Sequence, residues 1–230
     1  EPLALEEEYS MQKSWRQDHN KLTFIVCRPY PQPGRGSSAL SPADIICGLH
    51  PGGRDKPDYM IGDVNLFLHK DYEQDESGDD TDKAYLRGEI ELMIAVPEYR
   101  GKGLGKVTLL AFLRYIREKE AQIIKTFIEG EQASGNGTAD LGDHIRLGVK
   151  IGEDNERSRK LFGSVGFEQV GEPNYFKEVE LQLLDRKLLD LEKAPGVEAW
   201  RLVWYAEVVP NSAHKRKPDD GVDPACMPPA

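Results

Sequence analysis

The sequence predicts an α/β domain organised around one strand, one loop and one helix. An apolar run at residues 89–96 leads into a glycine-rich loop at 100–105, and a helical pattern at 106–117 follows directly. This order brings several backbone N–H groups to one point, where they can bind an anion. With 230 residues, 39% of them hydrophobic, the chain is long enough for one domain with a sizeable core. The loop is therefore the predicted centre of function.

The glycine loop lacks the spacing of the two common nucleotide-binding loops. Its glycines are Gly101, Gly103 and Gly105, followed by Lys106. In a dinucleotide-binding loop, G-x-G-x-x-G, the third glycine would be in another register, and a P-loop needs one residue more between its glycines. A glycine turn between strand and helix is also often only a tight connection, because glycine tolerates positive φ. The pattern that remains is R-x-x-G-x-G, starting at Arg100.

Two motifs together resemble the GNAT superfamily of acetyltransferases. The R-x-x-G-x-G loop is similar to the coenzyme A pyrophosphate loop of that superfamily, and residues 155–167 are similar to its N-x-x-S-x-x-x-F…G-F segment. Within the superfamily, the run GDVNLFL at 62–68, together with residues 1–15 and 88–95, resembles the eukaryotic N-acetyltransferase-nine group. The resemblance covers roughly residues 1–180, and GDVNLFL is its most specific part.

The resemblance implies the GNAT fold, a mixed and mostly antiparallel sheet with a central splayed pair of parallel strands and flanking helices. The acetyltransferase domain would occupy residues 1–180, an extension packed on it 181–209, and a disordered tail 210–230, where apolar residues are scarce. Three insertions are expected, near 29–57, 71–83 and 130–143. The family's first strand and helix have no counterpart, so the strand predicted at 22–26 would be an edge prone to self-association.

The secondary structure is predicted from the period of the apolar residues and from turn residues. Helices are expected at 3–16, 103–119, 155–165 and 186–193. Strands are expected at 22–26, 60–68, 86–96, 145–151, 167–170, 176–184 and 200–209. Residues 122–131 are either the end of the second helix or a short strand.

The strand predicted at 86–96 carries two acids on one face. In a regular strand, Glu89 and Glu91 point to the same side, opposite Ile90 and Leu92. A buried parallel strand is normally apolar on both faces, so these acids must lie at an edge, lie in a cleft or pair with a cation. The alternative is a face that meets solvent or a Lys or Arg partner, and the sequence does not decide between the two.

The chemistry that the resemblance implies is direct transfer of an acetyl group from acetyl-CoA to an amine, without a metal. An amine is protonated at neutral pH, so a carboxylate is the natural proton acceptor, and Glu89 and Glu91 are the candidate bases. Ser158 is expected to protonate the leaving thiolate, by analogy with the serine that some relatives use there. Related enzymes often have a glutamate where this chain has Gly148, and this difference favours Glu89 and Glu91 as the base. Many also have a tyrosine that acts as the acid where this chain has Phe162.

The resemblance also implies which residues bind acetyl-CoA. The backbone at the end of the central strand would bond the pantetheine arm, and the loop N–H groups would bond the pyrophosphate. Asn155 either contacts the cofactor or only caps its helix. The expected cofactor-binding residues are Ile94, Ala95, Val96, Arg100, Gly101, Lys102, Gly103, Leu104, Gly105, Lys106 and Asn155.

Composition and the resemblance indicate which classes of partner and which compartment to expect. The net charge of −10 argues against a nucleic-acid partner and favours an amine-bearing substrate. The resemblance implies a protein or peptide acceptor, with an acetyl-CoA-binding scaffold or a weakly active pseudoenzyme as the alternative. Three cysteines without C-x-x-C spacing fit a reducing compartment, cytoplasmic or, given the basic run at 214–217, nuclear. No membrane span is expected, the five histidines are predicted to be surface residues, and the oligomeric state stays open.

Overall fold

The structure of the protein is a computed structural model that describes residues 4–28, 56–73, 83–136 and 140–185. The described residues belong to two compact units. One contains residues 4–25 and the described residues between 62 and 185, and the other contains 26–28 and 56–61. Most of the first predicted insertion, the helix at 186–193, the strand at 200–209 and the tail at 210–230 lie outside the described residues.

Three helices and six strands make up the described fold. The helices are α1 (Leu5–Gln17), α2 (Leu104–Ala133) and α3 (Glu156–Gly163). The strands are β1 (Lys21–Cys27), β2 (Met60–Tyr72), β3 (Ala84–Ile94), β4 (Ile145–Gly152), β5 (Phe167–Val170) and β6 (Glu178–Leu183). Two 3-10 turns, Pro57–Tyr59 and Pro97–Tyr99, precede β2 and the glycine loop.

Several predicted boundaries differ from the structure. Strand β2 continues to Tyr72, past its predicted end at 68 and into the range of the insertion predicted near 71–83. Residues 122–131 belong to helix α2, which continues to Ala133 into the range of the insertion predicted near 130–143, because Ile123, Ile124 and Phe127 extend its buried face. Strand β3 ends at Ile94 rather than at Val96, since the chain there turns into the 3-10 segment that Pro97 begins.

The strands form one sheet in the order β1-β2-β3-β4-β6-β5. Strands β3 and β4 are parallel, whereas β2 with β3, β4 with β6 and β5 with β6 are antiparallel. The predicted mixed sheet with a central parallel pair is confirmed.

One face of the sheet is apolar and the other is polar. Helix α2 packs against β3, and the predicted inward set Val64, Leu66 and Leu68 is buried, as are Leu86 and Ile90. Full burial of each such side chain contributes about 1.5–3 kcal/mol. The opposite face, by the same alternation, carries the acids of β3.

His19 was predicted to be a surface residue, but it packs against helix α2. Its Nε2 is 2.8 Å from Oε1 of Glu131, and its ring centroid is 5.6 Å from that of Phe127. The ring covers Gly130, where an added Cβ would come within 2.0 Å of the His19 Cγ. A helix glycine therefore makes room for a side chain from another part of the fold.

The Gly130→Ala substitution is expected to destabilise the protein by roughly 1–3 kcal/mol, because the new methyl group overlaps the His19 ring. In a helix without such a neighbour, the same change stabilises by about 1 kcal/mol. The matched control is Gly130→Ala in a His19→Ala background, where it should stabilise. Chemical unfolding measures both, and stabilisation of equal size in the two backgrounds would contradict the contact.

Candidate active site

Strands β3 and β4 separate partway along their length. Their pairing runs from Leu86 opposite Ile145 to Glu89 opposite Gly148, although β3 continues to Ile94 and β4 to Gly152. Over these last residues each strand remains paired with its outer neighbour, β2 or β6. The inner edges, residues 90–94 and 149–152, are therefore open to a ligand that brings its own hydrogen-bonding groups. This opening, the β3–β4 cleft, corresponds to the splay that the resemblance implies.

The glycine loop that follows β3 has the backbone conformation that glycine permits. Gly101 has φ +73° and Gly103 has φ +79°, and a Cβ added at either would meet no atom within 4 Å. Gly105 has no positive φ; an added Cβ there would lie 3.4 Å from Cδ2 of Leu161 on α3. Gly101 and Gly103 thus shape the loop and leave space beside it, whereas Gly105 lets two helices approach.

Helix α2 begins at this loop with its N-terminal donors exposed to the space beside the loop. Gly103 is its N-cap, with no side-chain cap bond and no acid in the first turn. The first intrahelical bond runs from Val107 N to Gly103 O at 3.1 Å, so the N–H groups before Val107 have no acceptor within the helix. Helix α3 differs, because Asn155 Oδ1 accepts from Ser158 N at 3.2 Å. The α2 terminus is therefore the one suited to an anion.

Arg100 ties the loop to the end of β3. Its Nε donates to the carbonyl of Ile94 and its Nη2 to the carbonyl of Ala95, both at 2.7 Å. Opposite this strand end, a Cβ at Gly62 would lie 2.0 Å from the Met93 carbonyl, so the glycine of the GDVNLFL run permits a close approach of β2. The two Arg100 bonds bring together the predicted cofactor-binding residues of the strand end and those of the loop. The Arg100 guanidinium itself contacts the strand end.

The two predicted acids have different surroundings. Glu89 Oε2 is 2.8 Å from Nζ of Lys150 on β4. Glu91 lies beyond the last β3–β4 pair, beside the cleft, and opposite Asn65 on β2. Glu91 is exposed at the surface, but the protein around its carboxylate removes part of the hydrating water and so raises its pKa, and the charges of Glu89 and Asp63 raise it further. Glu89 therefore has a lysine partner, whereas Glu91 meets solvent beside the cleft.

Ser158 and Phe162 both lie on helix α3. Ser158 is half-buried in the first turn, where its N–H donates to the cap residue Asn155. The Phe162 side chain is 3% exposed and packs edge-on against Phe167, with centroids 5.2 Å apart. Phe162 is therefore a core residue of this protein.

Gly148 lies under an ion pair that crosses strand β4. Arg87 Nη2 on β3 is 2.5 Å from Glu180 Oε1 on β6, and the Arg87 side chain is only 15% exposed. A Cβ added at Gly148 would be 3.8 Å from that Glu180 oxygen and 3.7 Å from Cγ of Gln182. A longer side chain at position 148 would meet these groups, so the glycine leaves space for the Arg87–Glu180 pair.

Asp63, Asn65 and Lys150 belong to this site but were not predicted from the sequence. The alternation in β2 and β4 could have placed them on the polar face, but only the strand register brings them near Glu89 and Glu91. Within the described ranges, no group of three or more His, Cys, Asp or Glu side chains is arranged to hold a metal ion. No helix in the same ranges is long and apolar enough to span a membrane.

Comparison with known sequences identifies relatives along most of the chain. Residues 3–168 match the acetyltransferase (GNAT) domain. The N-acetyltransferase 9-like protein of Schizosaccharomyces pombe is 34% identical over 197 residues, which cover 80% of this chain and 79% of that protein. The alpha/beta-tubulin-N-acetyltransferase 9 of Homo sapiens is 36% identical over 187 residues, which cover 80% of this chain and 65% of that protein.

Comparison with solved structures gives more distant matches. The N-acetyltransferase PseH of Campylobacter jejuni in complex with acetyl coenzyme A matches with a TM-score of 0.39 and 13% identity, over 77% of each chain. An acetyltransferase of the GNAT family from Streptococcus pneumoniae matches with a TM-score of 0.34 and 17% identity, over 78% of this chain and 75% of that one.

Proposed function

The chain belongs to the GNAT acetyltransferases and to their N-acetyltransferase 9-like group, and from this premise we propose that it acetylates an amine of a protein, at the N-terminus or on a lysine. As a member of that family it is an N-acetyltransferase that uses acetyl-CoA as its co-substrate. The observation that carries the proposal is the β3–β4 cleft, which opens after Glu89 and borders the end of β3, from which the glycine loop leads to the uncapped start of helix α2.

The residues around the loop fit acetyl-CoA. The pyrophosphate would bind the N–H groups of the loop and of the first turn of α2, where the space beside Gly101 and Gly103 is open. Lys102 and Lys106 add positive charge there, and the pantetheine arm would run along residues 94–96. Arg100 would act by holding the carbonyls of Ile94 and Ala95 in place. Asn155 would act as the cap of α3.

The acids of β3 would handle the proton of the acceptor amine. The amine nitrogen must lose a proton before it attacks the thioester carbon, and a carboxylate with a raised pKa is suited to accept it near neutral pH. Glu91 is the proposed group, because partial desolvation of its carboxylate and the neighbouring acids raise its pKa. As the C–S bond breaks, the nitrogen loses its second proton to solvent. The thiolate takes up a proton from the Ser158 hydroxyl, the proposed donor, which regains one from solvent.

A protein acceptor is supported by the relatives and by the charge of the site. Human, mouse and fruit fly relatives are named alpha/beta-tubulin-N-acetyltransferase 9. Asp63, Glu89 and Glu91 share one face of β2 and β3 and would attract an ammonium group. A tubulin-like acceptor also agrees with the expected cytoplasmic location. The scaffold alternative rests on Gly148 and Phe162, and it is disfavoured because Glu91 provides a base without either position.

Acetyl-CoA turnover on a peptide panel tests the acceptor. The panel contains N-terminal segments of α- and β-tubulin, internal lysine peptides, each N-terminal peptide with a blocked amine, and a polyamine. We expect release of free coenzyme A together with one added acetyl group on a peptide amine, and loss of both with the corresponding blocked amine. Acetylation of the polyamine alone would contradict the protein acceptor, and binding of acetyl-CoA without turnover on any amine would support the scaffold.

A further inference from the structure

An ion pair spans the β3–β4 cleft at the point where the two strands separate. Glu89 and Gly148 form the last β3–β4 pair, so continued parallel pairing would bring Lys150 beside Glu91. Lys150 instead reaches back to Glu89, with Nζ 2.8 Å from Oε2. Lys150 therefore makes its direct ion pair with Glu89, and not with Glu91, which continued strand pairing would place beside it.

Glu89 is the less exposed partner of this pair. The Glu89 side chain is 20% exposed and the Lys150 side chain 41%, so solvent screens the pair less than it screens a pair of fully exposed side chains. Gly148 has no side chain on the face that the pair occupies. Lys150 can therefore lie diagonally across the start of the cleft, between the two splayed strands.

We propose that Lys150 is a positioning residue that holds Glu89 across the start of the cleft and so leaves Glu91 as the proton acceptor. This inference rests on the proposed function, in which Glu91 accepts the proton of the acceptor amine. Without the lysine, Glu89 and Glu91 would be two neighbouring acids on one strand face with no cation to distinguish them.

The charged groups that face Glu91 predict how its pKa changes when one of them is removed. They are Asp63 from β2, Glu89 from β3 and Lys150 from β4. Glu89 and Asp63 raise the pKa of Glu91, in addition to partial desolvation, and Lys150 lowers it. A base works only when it is deprotonated, so activity rises with pH through the pKa of Glu91. Loss of the lysine charge should move this acid limb to higher pH, and loss of the Glu89 charge should move it to lower pH.

The test is the pH dependence of kcat/KM in the full chain, with acetyl-CoA and an acceptor peptide. We expect the midpoint of the acid limb to move up by roughly half to one pH unit in Lys150→Met and to move down in Glu89→Gln. In Lys150→Arg, which keeps the positive charge, the midpoint should stay at its wild-type pH. Lys125→Met is the matched control, because Lys125 is exposed and pairs only with Glu129 on its own helix among the ion pairs the structure describes. The carboxyl ¹³C NMR titration of Glu91 should show the same displacements without any turnover.

The outcomes separate this inference from the proposed function. Turnover by the wild type with an unmoved acid limb in Lys150→Met, or a lower kcat without a pH shift, would overturn the role of Lys150 and leave the acetyltransfer intact. If no amine is acetylated, the NMR titration still decides. A displaced Glu91 titration then supports the link to Lys150, and an unchanged one refutes it.

Discussion

Replacing Glu91 by Gln is expected to lower kcat about 10²–10⁴-fold at neutral pH while the affinity for acetyl-CoA stays nearly unchanged. The substitution keeps the shape of the side chain and removes the group that accepts the proton. It does not touch the glycine loop or the start of α2, where the cofactor would bind. Glu89→Gln should have a smaller effect on kcat, because Glu89 pairs with Lys150.

Steady-state kinetics and calorimetric titration with acetyl-CoA measure the two effects separately. Glu168→Gln is the matched control, since Glu168 is exposed on the edge strand β5, which strand β6 separates from β4. The control should keep the wild-type kcat. Full activity in Glu91→Gln and in the Glu89→Gln/Glu91→Gln double variant would show that the base is another group or solvent.

The Gly103→Val substitution is expected to weaken acetyl-CoA binding by about 1–3 kcal/mol, or roughly 5- to 150-fold in Kd. Gly103 has φ +79°, which a β-branched residue adopts only with strain, and its missing side chain leaves the space that the phosphates would occupy. Gly105→Ala should have a smaller effect, because it adds only an ordinary contact with Leu161.

Gly135→Val is the control that distinguishes the effect of backbone strain on stability from the effect of a lost binding site on affinity. Gly135 has the same φ of +79° and open space at its Cβ, but it lies beyond the other end of helix α2. Both variants should lose similar stability in chemical unfolding, and only Gly103→Val should lose affinity in calorimetry. Equal affinities of the two variants for acetyl-CoA would refute the loop as the pyrophosphate site.

The local parts of this site could be predicted from the sequence. Positive φ at Gly101 and Gly103 follows from residue type and from their place between a strand and a helix. The common face of Glu89 and Glu91 follows from the two-residue period of a strand, which does not depend on what the strand pairs with. The buried face of β2 was predictable for the same reason.

The distinction between the two acids was decided only by the tertiary structure. Lys150 lies 61 positions along the chain from Glu89, and no local pattern says which residues of β3 and β4 pair or where their pairing stops. His19 likewise lies on Gly130 through a contact between a loop and a distant helix. The sequence by itself determined the loop, the strand faces and the candidate residues, because these depend on backbone conformation and period. The strand register determined which acid has a cation, because pairing between distant segments is set by packing of the whole sheet.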